Sequence, residues 1–194
     1  SNLTYLELLN LGNNLLSGTL ADWFGHLTSL VDLDLSRNRM TGNLTESVFT
    51  LRNLNTLALQ GNSFRGTIPS NISYLTLLSE LDLSDNLLSG TLPSFPPSLI
   101  ALRLQYNFFE GPFPPDVVNL TQLVELDLGE NLFYGPIPSS LPSGLNALYL
   151  AHNMFVDSFP PSICALTALN FLDLTNNLFS GPIPTCIGDQ LTEL

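Results

Sequence analysis

One pattern of letters recurs from end to end of this chain, and its period leaves few folds open. In Leu78 to Pro93 it reads LSELDLSDNLLSGTLP, which reduces to L-x-x-L-x-L-x-x-N-x-L-x-G-x-L-P. Aligned on the asparagine, eight copies fall at Asn14, Asn38, Asn62, Asn86, Asn107, Asn131, Asn153 and Asn177, separated by 24, 24, 24, 21, 24, 22 and 24 residues. A period in this range predicts a solenoid, each copy forming one coil stacked on the next. The two short spacings coincide with SFPPS at positions 94–98 and LPSG at 141–144, which replace the usual x-x-L-x-x-L; the seventh copy also carries Asp157 in its glycine slot.

Each letter has a physical task. L-x-L alternates with period two, as a half-buried strand does, so the leucines point inward and the residue between them outward. Repeated once per coil, such strands stack into one parallel sheet at about 4.8 Å per coil, so eight copies span about 35 to 40 Å. The asparagine can bond backbone groups where the chain turns inward, in its own coil and the next, and stacked asparagines would form a ladder. Glycine tolerates positive φ, and the following Ile-Pro or Leu-Pro favours an extended segment. An amphipathic helical bundle fails because proline or glycine interrupts every copy.

Composition narrows the partners. Ten Asp and seven Glu face five Arg and no Lys, a net charge of −12, which argues against nucleic acid or an anionic membrane as partner. No run of 18 apolar residues is present, so this segment has no direct membrane insertion. Nothing points to a cofactor or a metal, and two cysteines lack the ligand pairs of a zinc site.

The pattern L-x-x-L-x-L-x-x-N-x-L-x-G-x-I-P resembles the plant-type leucine-rich repeat of receptor-like kinase and receptor-like protein ectodomains and of polygalacturonase-inhibiting proteins. The resemblance covers residues 3 to 194. It implies a right-handed superhelix of α/β repeat type with little regular helix, a concave parallel sheet that binds ligands, and a second set of short strands near G-x-I-P. It also implies an extracellular or cell-surface setting. Disulfide-bonded caps usual in that family are missing here. One domain over 1–194 is expected, with Leu3, Leu6 and Leu8 opening it and Leu191 and Leu194 closing it uncapped. Such ends suit either a segment of a longer protein or a subunit that stacks head to tail.

Stacking also fixes which side chains stand outward on the long sheet. The column between the strand leucines reads Asn10, Asp34, Ala58, Asp82, Arg103, Asp127, Tyr149, Asp173. The preceding column reads Leu8, Asp32, Thr56, Glu80, Ala101, Glu125, Ala147, Phe171, so copies 2, 4 and 6 each present two carboxylates. Two-coil spacing puts these pairs about 10 Å apart, against about 5 Å for adjacent coils, where like charges repel. This describes an acidic strip suited to a basic peptide or protein, although Asp in L-D-L is also the usual residue of the resembled family. Toward the C-terminal half, Arg103, Gln105 and Tyr106, then Tyr149 and His152, then Phe171, place aromatic and hydrogen-bonding groups beside Asp127 and Asp173, the mixed chemistry that interfaces favour.

Chemistry of catalysis is poorly supported. His26 and His152 have no nucleophile motif beside them, and carboxylates on an open sheet stay solvated. Four N-x-S/T sequons, at Asn2, Asn43, Asn71 and Asn119, are about what composition alone supplies, but all lie off the outward strand positions. Cys164 and Cys186 lie in neighbouring copies, two register positions apart; a bridge is within reach, and two separate thiols is the reading that offset favours.

The expectation is therefore a non-enzymatic recognition module that holds a peptide, protein or carbohydrate polymer on its concave face. The alternative is a structural subunit that self-associates through its ends into a filament or surface fibre. Thr19, Thr67 and Thr91 share one slot and suggest an ice- or sugar-binding ladder, which Asn43, Pro112, Pro136, Ser158 and Pro182 interrupt.

Overall fold

Pairing every L-x-L strand with its counterpart one period away builds the long sheet. The computed structural model of the protein describes residues 3–187; Asn2, Leu191 and Leu194 lie outside them. Eight three-residue strands, Leu8–Asn10, Asp32–Asp34, Thr56–Ala58, Glu80–Asp82, Ala101–Arg103, Glu125–Asp127, Ala147–Tyr149 and Phe171–Asp173, pair in parallel and in chain order. A second parallel sheet uses the stretch after each asparagine: Ser17–Gly18, Arg39–Asn43, Ser63–Gly66, Leu87–Gly90, Phe108–Pro112, Leu132–Gly135 and Met154–Phe155.

The chain returns between sheets through short 3-10 turns at Asp22–His26, Val48–Thr50, Ser70–Tyr74, Pro115–Asn119 and Pro161–Ala165. Proline at or just before three of these starts, Pro69, Pro114 and Pro160, presets φ for the turn. A buried leucine, Leu27, Leu51, Leu75, Leu120 or Leu166, ends each turn. The SFPPS and LPSG coils contain no such turn and cross the back more directly, filling it with Phe95 and Leu141 instead.

Three inward rows fill the space between the sheets: strand leucines such as Leu81, Leu83, Leu126 and Leu128; back leucines such as Leu54, Leu78 and Leu123; and a row of Phe64, Leu88, Phe109, Phe133 and Phe155 behind the second sheet. Phe133 and Phe155 stack with ring centres 6.2 Å apart. Loss of water from this continuous core is what holds the coils together, because no coil alone could bury its leucines.

The asparagine ladder is present, with its direction reversed from expectation. Asn86 Nδ2 donates to the carbonyls of Leu83 and Ser84 in its own coil, at 3.2 and 3.0 Å, and to Leu59 of the preceding coil at 3.1 Å. Its Oδ1 accepts the Phe64 backbone N–H, also of the preceding coil, at 3.0 Å. The partners lie behind and not ahead because the preceding coil's turn leaves one carbonyl and one N–H facing the amide. The same pattern recurs at Asn38, Asn62, Asn107, Asn131, Asn153 and Asn177.

The two sheets keep different registers. Leu8 pairs with Asp32, 24 positions on, whereas Thr41 in the second sheet pairs with Ser63, 22 positions on. Where the back is short, Glu80 pairs with Ala101 and Ser89 with Phe108, 21 and 19 positions on, so the lag of two persists. That lag also accounts for the cysteines. Counted from the asparagines, Cys164 and Cys186 are two positions out of step; counted along the second sheet they are in step, as Ser158 and Ser180 are. They are joined as a disulfide with Cα atoms 5.6 Å apart, where the sequence offset favoured separate thiols.

Glycine is required where a coil meets the threonine of the one before. Gly90 has φ of +81°, and a Cβ there would lie 2.9 Å from Thr67 Cγ2. Thr19 and Thr67 thus pack on the glycines of the next coil, which gives this row a packing role of its own.

Candidate functional site

The outward face of the long sheet is assembled from three residues per coil: the one between the strand leucines, and the two that precede the asparagine. In every coil the residue just before the asparagine has a left-handed backbone: Asn13, Arg37, Gly61, Asp85, Tyr106, Glu130, His152 and Asn176, with φ from 51° to 66°. Non-glycine residues there cost about 1 to 2 kcal/mol each. The ladder over-determines the conformation, because it bends the chain inward so that the asparagine can reach its carbonyls. One effect is to swing seven polar or aromatic side chains into a row along the edge of the sheet. Sequence reading singled out Tyr106 and His152 from this outward column and named Asp85 among its letters; Arg37, Glu130 and Asn176 are the counterparts it did not single out.

Aspartate in L-D-L has a structural task. Asp34 Oδ1 accepts the Ser36 N–H at 2.9 Å, Asp82 Oδ1 accepts Ser84 N–H at 3.0 Å, Asp127 Oδ1 accepts Gly129 N–H at 3.0 Å and Asp173 Oδ1 accepts Thr175 N–H at 2.9 Å. Asn10 does the same for Gly12. Each caps its strand's end through that oxygen. Three coils have no such cap, because Ala58, Arg103 and Tyr149 stand in the slot. In two of them the residue two places on is a glutamine, Gln60 or Gln105. Each buries a side-chain carbonyl oxygen that meets no donor among the described residues.

The acidic strip is interrupted by the chain's own cation. Arg103 lies between Asp82 and Asp127 in the register and forms a two-pronged pair with Glu125, Nε to Oε1 at 2.8 Å and a second contact through the terminal nitrogen to Oε2. The hydrogen bond to Glu125 raises the guanidinium pKa, with burial opposing. Glu80 stays exposed one strand away. Asp34 and Phe171 lie in neither of the clefts described next.

Tyr106, Asp127, Tyr149, His152 and Asp173 do come together. With Gln105 and Glu130 they line a cleft of about 240 Å³ across coils 5 to 8. A second cleft of about 460 Å³, lined by Arg37, Gln60, Gly61, Ser84, Asp85, Gln105 and Tyr106, adjoins it through Gln105 and Tyr106. Within the first cleft the two aspartates diverge. Burial lifts Asp127 to a pKa of about 6, against the Gly129 hydrogen bond and with help from the negative field of Glu125 and Asp82. Thr175 holds Asp173 below the usual carboxylate range by bonding through its side chain and its backbone. Burial, together with Glu125, Asp127 and Asp173, pushes Tyr149 up, so its hydroxyl remains a donor. His152 Nε2 lies 3.5 Å from Glu130 Oε1 and 3.0 Å from the Asn176 amide nitrogen. Among the described residues no cluster of ligating side chains is placed to hold a metal ion.

The described sequons lie away from both clefts. Asn43 ends a second-sheet strand and is exposed, Asn119 ends a 3-10 turn and is exposed, and Asn71 is half-buried with its amide 3.2 Å from Glu46 Oε2. Asn2 is outside the described residues. No helix of the described residues is long and apolar enough to cross a membrane.

Residues 5–27, 53–75, 77–99 and 168–190 match the Leucine Rich Repeat family. Solved structures of similar chains include the Arabidopsis receptor kinase HAESA in complex with the peptide hormone IDA and the co-receptor SERK1. It is 36% identical, matches over 98% of this chain and 33% of its own, and has a TM-score of 0.91. The plant peptide hormone receptor RGFR1 in complex with RGF2 is 31% identical over 92% of this chain and 33% of its own, with a TM-score of 0.76. A plant ice-binding protein is 29% identical over 94% of this chain and 60% of its own, with a TM-score of 0.83. The chain thus spans about a third of each of these two receptors. No curated protein matches the sequence.

Proposed function

Because the chain belongs to the plant-type leucine-rich repeat family, we propose that it is part of an extracellular recognition module whose long sheet holds a basic peptide and carries out no reaction on it. One observation carries this reading: the paired clefts set four carboxylates and two unpaired buried acceptors against a single arginine, Arg37. The buried carbonyl oxygens of Gln60 and Gln105 face no donor among the described residues, and Asp85, Glu130, Asp127 and Asp173 add carboxylates around them. A buried acceptor left unpaired costs about 1 to 3 kcal/mol, so a ligand supplying N–H groups and a cation recovers that loss. Arg103 is held by Glu125 and does not fill the need. Tyr106 and Tyr149 supply the flat apolar surface on which a guanidinium or an aliphatic side chain packs.

Peptide-hormone complexes of HAESA and RGFR1 support the ligand class. The exposed sequons Asn43 and Asn119, both off the long sheet, are consistent with a secreted protein whose sugars leave that face clear. Selection of randomised short peptides on the immobilised chain tests the proposal. Enriched peptides should carry arginine or lysine, and Tyr149→Ala should weaken them about tenfold, or 1.4 kcal/mol. Enrichment without a cationic bias, or binding indifferent to Tyr149, Asp127 and Gln105, would sink it.

A further inference from the structure

The second sheet has an outward face that neither the core nor the clefts use. On its strands from coil 2 onward the residue after the asparagine points out while the next points in: Phe108 is 52% exposed and Phe109 fully buried, and Leu87 and Leu88 differ in the same way. In coils 2 and 3 this outward position holds Arg39 and Ser63. From coil 4 onward it holds Leu87, Phe108, Leu132, Met154 and Leu178, and Tyr134 stands directly opposite Met154 in the register. These six side chains are 42% to 62% exposed. Together they offer on the order of 600 Å² of apolar surface, the upper end of what a monomer leaves in water.

We propose that this flank is a self-association face, on which a second copy of the chain docks antiparallel about a two-fold axis passing near Leu132. Three observations choose a second copy as the occupant. The stripe matches itself in reverse: Leu132 meets its own counterpart, Phe108 meets Met154 one coil to either side, and Leu87 meets Leu178 two coils to either side, as an isologous contact requires. Two such faces bury about 1,200 Å² in total, the lower edge of the range for stable specific interfaces. A chain of net charge −12 repels its copies, and this face minimises that cost. Along the second-sheet stretches of these five coils Glu110, directly opposite Leu132 in the register, and the exposed Asp157 are the two carboxylates, a small share of the chain's negative charge. No described sequon falls on the face, so sugar at Asn43, Asn71 or Asn119 would not occupy it. The long sheet stays open in both copies.

Sedimentation equilibrium over a range of concentration and salt tests this. The protein should pass from one chain to two as concentration rises, and more readily at high salt, which screens the shared negative charge. Leu132→Glu places a carboxylate against its own mate and should weaken association at least about tenfold, or 1.4 kcal/mol. Ser63→Glu, the same position outside the stripe, should leave it unchanged, and circular dichroism should show both variants folded. As an independent reading, Leu132→Cys should form a disulfide-linked pair on mild oxidation and Ser63→Cys should not. A strictly monomeric protein at high concentration and salt, or association unaffected by Leu132→Glu, would overturn the proposal.

Discussion

Two classes of strand make up the long sheet, and they differ in what their outward residue is bound to do. In the capped class, Asn10, Asp34, Asp82, Asp127 and Asp173 commit an oxygen to the backbone N–H two residues on. In the uncapped class, Ala58, Arg103 and Tyr149 have no such duty. Where the cap is absent the chain carries Gln60, Gln105 and Tyr149, which line the clefts, and Arg103, which pairs with Glu125 outside them. A charge pattern that reads as a ligand-binding strip is therefore half scaffold. Under the proposed function, the coils freed from capping would supply the contacts that tell one peptide from another.

Substitutions can break or sharpen this contrast. The ladder asparagine serves both classes alike and should show the largest effect. Asn86→Ala strands the Phe64 N–H and the Leu59 carbonyl in the core, and should cost about 2 to 4 kcal/mol by denaturant unfolding. Asp82→Ala removes a cap accepting both the N–H and the hydroxyl of Ser84, and should cost about 1 kcal/mol. Tyr149→Ala, in the uncapped class, should change stability by no more than about 0.5 kcal/mol while lowering peptide affinity. If Asp82→Ala proves neutral and Tyr149→Ala strongly destabilising, the two classes are wrongly drawn.

Asp127 belongs to both worlds, since it caps Gly129 and lines the cleft. Its folded pKa of about 6 lies above the unfolded value near 3.9, so the native state binds the proton more tightly. Stability from this group is complete below pH of about 4 and is lost as pH rises through about 6. Asp127→Asn keeps the cap acceptor but removes the titration. Its stability relative to wild type should rise between pH 4 and 7, as read by thermal melts across pH. Ionised Asp127 favours a cation, so binding of an arginine peptide should strengthen over the same interval, which calorimetry at both ends would check.

Much of the fold could be read from the letters because the repeat states it eight times. Leu81, Leu83, Asn86, Gly90 and Pro93 each answer a local physical demand that neighbouring coils repeat. The site was less legible. Tyr106, Tyr149 and His152 stand out as aromatic and polar letters in outward columns, and the structure brings them into one cleft with Asp127 and Asp173. Asp34 shares a column and a cap with Asp127 and Asp173 yet lines neither cleft, and Glu80 stays exposed outside both. The roles of Gln60 and Gln105 depend on which backbone groups are already satisfied, and a one-dimensional pattern does not carry that information. The cysteine pairing was obscured by the different registers of the two sheets.

Those registers have a consequence for how such a chain can change over time. Shortening the back by three residues at SFPPS or by two at LPSG moves both sheets' pairing by the same amount: Glu80 to Ala101 against Ser89 to Phe108, and Glu125 to Ala147 against Tyr134 to Met154. Length can therefore be gained or lost on the back of a coil without shifting either face relative to the other. Insertions and deletions there are silent for whatever the faces bind, so a lineage can trim or extend its coils freely while selection edits the outward letters one substitution at a time.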